Sequence, residues 1–169
     1  PPRKLTDHLI TKDLLARAYL ILGPVESLVA MLAFYFFFWT NGYKGMWIDL
    51  PDSGQIYLAA TAMAFSGVVV TQIGNLFTQR ATHRSILKVP LFNNKFIWIG
   101  IVSEIVLTLA IVYTPFMQRF IGTAAFDAKY WLPLIVWIPA LPLVDSIYKS
   151  FKKRRNFTRE RLTREGESI

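Results

Sequence analysis

Apolar residues fall in four long runs, separated by short polar stretches. The runs cover residues 14–39, 56–77, 96–113 and 131–148. A helix needs roughly 20 apolar residues to cross the hydrocarbon core of a bilayer. A helix in a soluble bundle carries one apolar stripe and a charged opposite face. These runs are apolar nearly all round, so the pattern predicts an all-α membrane protein built on a four-transmembrane-helix bundle. Residues 1–13 read as a polar loop, 14–155 as the membrane region and 156–169 as a basic tail.

Punctuation inside the runs refines this picture. The first ends in Phe34-Tyr35-Phe36-Phe37-Phe38-Trp39, an aromatic end suited to the membrane–water interface. Gly23-Pro24 interrupts it. Proline has no N–H and crowds the carbonyl four residues back, here Leu20, so a kink is expected there. Asn41-Gly42 and Pro51-Asp52-Ser53-Gly54 are turn chemistry. Pro115 reads as a stop after the third run, with Thr114 to Tyr130 as a connecting segment. The fourth run holds Pro133, Pro139 and Pro142.

Charge sets an expected orientation. Lys and Arg gather on the cytoplasmic side of short loops. Sixteen of the 19 lie in the N-terminal stretch, the loop between the second and third runs, and the C-terminal tail. Both ends are therefore expected on the cytoplasmic side. The net charge of +8 concentrates between Lys149 and Arg164, a membrane-flanking placement that suits anionic lipid headgroups. Nucleic acid is not expected as a partner. Cysteine is absent, which excludes disulfides, thiolate metal sites and cysteine nucleophiles. The chain opens on Pro1 rather than Met and lacks a signal-peptide pattern. That reads as a piece of a longer polypeptide or a processed product.

Four polar positions inside the runs carry the candidate chemistry: Glu26, the pair Gln72 and Asn75, Glu104, and Asp145. Charged groups at such depth face a bundle interior or a wet cavity. Gln72 and Asn75 are three apart and share a helix face. Their amides suit either neutral ligation of a dehydrated cation or interhelical hydrogen bonding. Glu104 is central in its run, where a carboxylate must pair, protonate or hold a cation. Glu26 follows the Gly-Pro break, where either a cation site or a structural ion pair is open to it. Asp145 has Lys149 four residues on, so a structural i,i+4 pair is expected. Arg17, near a helix end, is expected to snorkel to the headgroups. No glycine-rich phosphate loop or nucleophile–base pair occurs, no metal site is assigned, and His8 and His83 lie in basic loops.

The order of several strings resembles a known family. Pro1-Pro2-Arg3, Leu14-Leu15-x-Arg17-Ala18-Tyr19 and Gly23-Pro24-Val25-Glu26 are similar to the cytoplasmic loop and seventh membrane helix of type II P-type cation-transporting ATPases. Ala60-Thr61-Ala62 through Thr71-Gln72-Ile73-Gly74-Asn75-Leu76-Phe77, then Arg80 and Ser85, resemble the eighth helix and its loop. Asn94, Gly100 and Glu104 fit the ninth, and Trp131, Asp145 and Lys149 the tenth. The likeness runs to about Arg155.

The resemblance implies the last four helices of a ten-helix transport domain. The six preceding helices and the cytoplasmic domains, which use ATP and Mg, would be its partners. The ligand would be a transported cation. It also implies that Gln72 stands where calcium pumps place an acidic ligand and sodium pumps a glutamine. Asn75 stands where the sodium pump has Asp. Glu104 matches a ninth-helix glutamate and Glu26 a polar seventh-helix position. A free-standing structural or regulatory four-helix membrane protein is the alternative, with the same polar groups as packing glue. An upstream Asp-Lys-Thr-Gly in the reading frame separates the two.

Overall fold

The computed structural model describes residues 12–80 and 94–150, with side chains from 15 to 77 and from 94 to 150. The expected N-terminal loop, most of the basic loop with His83, and the tail lie outside the described residues, as does His8. Among the described residues the protein is helical, with no strand.

Four candidate membrane spans result: Leu15–Thr40, Gly54–Phe77, Lys95–Tyr113 and Ala128–Ser150. The first is built from α1 (Lys12–Arg17), a π-helical turn (Ala18–Leu22) and α2 (Gly23–Thr40). The π turn is the local answer to Pro24. The Gly23 N–H reaches five residues back to the Ala18 carbonyl, as π-bulges do inside longer helices. The expected irregularity is present as this widened turn.

The second span is α3 (Gly54–Arg80). It is the hub of the bundle, with 56% of its apolar window buried in the protein, against 22% for each of the other three spans. Its composition explains this. Ala59, Ala60, Ala62, Ser66 and Gly67 let neighbours approach closely, the usual way membrane helices pack where no hydrophobic gradient exists. A Cβ built on Gly67 would lie 3.3 Å from the Ala33 Cβ of α2.

The third span is α4 (Lys95–Tyr113), capped by the Asn94 side chain, which accepts from the Phe96 N–H at 3.0 Å. The segment after it is not plain loop. Pro115 opens a further short helix, α5 (Pro115–Ile121), which ends on left-handed Gly122. Proline's fixed φ suits a first helical turn, so the residue expected to stop one helix starts another.

The fourth span is broken. After Ala128–Tyr130 and α6 (Trp131–Ile135), residues 136–139 form turns before α7 (140–150). Pro139 and Pro142 cannot donate backbone hydrogen bonds. The Ile138 and Ala140 N–H groups instead bond three residues back, to Ile135 and Trp137.

One end of the bundle is knitted by aromatic and polar groups. Tyr130 lies beside Phe37, with ring centroids 5.0 Å apart. The Asn41 amide donates to its hydroxyl at 2.9 Å, and Thr40 Oγ1 lies 3.1 Å from it. Trp131 Nε1 donates to Tyr113 Oη, which in turn donates to the Phe126 carbonyl.

Candidate functional site

α2 and α3 run side by side, so Glu26 and Gln72 come to the same depth although 46 residues separate them. Gln72 Nε2 donates to Glu26 Oε2 at 2.9 Å, and Asn75 Nδ2 donates to Gln72 Oε1 at 3.3 Å. All three side chains are half-buried. The result is a polar relay from the second span to the first, one carboxylate and two amides long. Its donor order is chemically consistent, because each amide gives an N–H and each acceptor is an amide or carboxylate oxygen. Of the two readings left open for Glu26, no ion pair is seen among the described residues. Its partner there is an amide on α3.

The pairing of Gln72 with Asn75 follows from their three-residue spacing. Its continuation to Glu26 depends on how the helices pack. Thr71, beside them in sequence, turns away: its hydroxyl donates to the Val68 carbonyl of its own helix at 2.7 Å.

Glu104 is not part of this relay. It is half-buried on α4, on the side that also holds buried Ile101 and Thr108. The Thr108 hydroxyl donates to the Glu104 backbone carbonyl at 2.8 Å. The Glu104 carboxylate has no hydrogen-bond or ion-pair partner among the described residues. Nor do three acidic or histidine side chains gather into a metal-holding group among those residues.

A second polar centre joins the first and fourth spans. Asp145 is 2% exposed and Arg17 9%. Arg17 Nε donates to Asp145 Oδ1 at 2.6 Å; Nη2 lies 2.5 Å from the same oxygen, in ion-pair contact but off line for a hydrogen bond. Lys149 Nζ is 2.6 Å from the other carboxylate oxygen. The i,i+4 pair is therefore present, but the expectation that Arg17 snorkels outward is overturned. The acid that draws it inward is 128 residues away in sequence. A matching of depths would have signalled this. Arg17 sits near the start of the first span and Asp145 near the end of the fourth, and an even number of crossings puts both at one face of the membrane.

The family model for "Cation transporting ATPase, C-terminus" matches residues 1–151. The chain belongs to this family. Among its relatives, a potassium-transporting ATPase alpha chain 2 from Oryctolagus cuniculus is 27% identical over 166 residues, covering 82% of this chain and 15% of that protein. Calcium-transporting ATPase 1 of Yarrowia lipolytica is 26% identical, covering 92% of the chain and 15% of the relative. Probable cation-transporting ATPase F of Mycobacterium bovis is 28% identical, with 85% and 14% covered. The chain thus spans about one-seventh of the length of these relatives. Family membership and four apolar spans make it an integral, multi-pass membrane segment of the cation-transporting ATPase class.

Proposed function

We propose that this segment contributes polar groups to the cation pathway of an ATP-driven pump, and that the Asn75–Gln72–Glu26 relay is its contribution. The observation that carries this reading is the relay itself. It is a carboxylate and two amides held at one depth between two membrane helices of a cation-transporting ATPase family member. Oxygen donors of this kind replace the hydration shell of a cation, with Glu26 supplying charge and the amides supplying neutral ligands. Glu104 serves as a separate proton-bearing or cation-facing group on the third span. The polar relay would complete a site with the six preceding helices, while ATP and Mg²⁺ are handled by cytoplasmic domains of the same pump. Both chain ends lie on the cytoplasmic side, in keeping with the distribution of Lys and Arg.

The test is cation-stimulated ATPase activity of the complete pump. Asn75→Leu is expected to raise the half-activating cation concentration more than Ser66→Ala, because the Ser66 hydroxyl only donates back to Ala62 of its own helix. Equal effects of the two substitutions would demote the relay to interhelical packing.

A further inference from the structure

Three glycines lie inside α3 and α4, and they differ in what surrounds them. A Cβ on Gly100 would meet nothing within 4 Å. On Gly67 it would touch the Ala33 methyl at 3.3 Å, a contact that two helices relieve by a small shift. On Gly74 it would overlap the Ile138 carbonyl oxygen, and it would lie 3.2 Å from both the Ile138 carbonyl carbon and Pro142 Cδ. Those atoms are backbone and ring, and none can swing aside by a rotamer change.

The Ile138 carbonyl faces α3 for a reason written in the fourth span. Its helical partner four residues on is Pro142, which has no N–H. The preceding N–H groups bond three residues back, so the backbone at 136–139 leaves the helical path. Within hydrocarbon such irregular backbone persists only where it lines a water-filled cavity or where protein covers it. Here the bare Cα of Gly74 does so, in the close backbone approach that small residues permit between membrane helices.

Gly74 stands between Gln72 and Asn75 on one turn of α3. A displacement of that turn away from the fourth span moves both amides against Glu26. We propose that Gly74 is a positioning residue. Its missing side chain seats α3 on the Ile138 carbonyl at the proline break, and this seat sets where the Gln72 and Asn75 amides lie. The proposal rests on the reading of those amides as pathway groups.

The experiment uses the complete ATPase, titrated in turn with Na⁺, K⁺ and Ca²⁺, recording half-activating concentration and maximal rate separately. Gly74→Ala is expected to raise the half-activating concentration about tenfold, since misplacing functional groups by about 1 Å has effects of this order or larger. Gly100→Ala should leave it unchanged. In a background carrying both Gln72→Leu and Asn75→Leu, Gly74→Ala should add no further loss, because both amides it positions are already gone. A full additional loss in that background, or normal activation by Gly74→Ala alone, overturns the proposal. Should Gly74→Ala not fold, Pro142→Ala disturbs the same seat from the other helix. It is expected to shift half-activation in the same direction, and normal activation again overturns the proposal. If Gln72→Leu by itself leaves activation untouched, the pathway reading fails and the seat is tested without transport. Cysteines at Ile73 and Ile138, which line a common cavity of about 310 Å³, should cross-link less in the Gly74→Ala protein. Unchanged cross-linking refutes the seat.

Discussion

Removing the Asp145 carboxylate should cost this protein more than any other single change to its buried charges. The carboxylate binds two cations at once: Arg17 Nε at 2.6 Å and Lys149 Nζ at 2.6 Å. At an effective dielectric constant of about 20, one such contact is worth about 6 kcal/mol of gross attraction. Desolvation of the charges offsets most of that. The loss on substitution is decided by what remains. Asp145→Ala leaves the Arg17 guanidinium, 9% exposed, with its counter-ion gone. Breaking a buried pair in this way costs about 3–5 kcal/mol. Arg17→Met leaves Asp145 with Lys149 as a remaining partner, so about 2 kcal/mol is expected, below the range for a fully orphaned charge. The Lys149 side chain is 28% exposed, and Lys149→Met should cost about 1 kcal/mol or less. Arg17→Met combined with Asp145→Leu removes the buried charge and should recover most of the Asp145→Ala loss, because apolar replacement of a buried pair is often near neutral.

The assay is equilibrium unfolding in mixed detergent micelles, with SDS as denaturant and the complete protein as sample. The reasoning fails if Asp145→Ala loses less than Lys149→Met. It fails equally if the double substitution is as unstable as Asp145→Ala, since an unpaired buried guanidinium would then not be the cause.

Three further outcomes follow from the geometry. Glu104→Gln should weaken cation activation in the intact pump while leaving the detergent-extracted protein as stable as wild type, since the Glu104 carboxylate has no partner to lose among the described residues; unchanged activation assigns Glu104 to packing. Tyr130→Phe deletes the hydroxyl that Thr40 and Asn41 share, and should lower stability by about 1–2 kcal/mol in the same unfolding assay; a change within error would mean that the hydroxyl bonds equally well to water. Gly122→Ala forces a side chain into φ 78° at the end of α5 and should cost about 1 kcal/mol, read as a lower unfolding midpoint without a change in cation activation.

The four crossings and their all-helical character were legible in the residues alone. A bilayer leaves a long apolar run few choices: it must satisfy its own backbone hydrogen bonds, and a helix does so locally. Pairing within a helix was equally legible, as Gln72 with Asn75 and Asp145 with Lys149 show, because a spacing of three or four residues decides it. Proline marked irregular points but not their form. The same lack of an N–H produced a π turn before Pro24, a helix start at Pro115 and a true break at Pro139 and Pro142.

Only the packing of one span on another decided the rest. Nothing in the spacing around Arg17 points to the fourth span, and its inward course depends on Asp145 arriving from there. Glu26 accepts from Gln72 because α2 and α3 lie close along their small residues, whereas Glu104, equally conspicuous in the chain, falls on a helix whose position leaves it outside that relay. Nothing in the spacing around Gly74 marks it as a seat, and only the Ile138 carbonyl lying against it does so. Local backbone bonding and solvent exclusion act over a few neighbouring residues and can be read along the chain. Contacts between residues far apart in the chain depend on the depth, rotation and closeness of whole helices, and these are set jointly by all four spans.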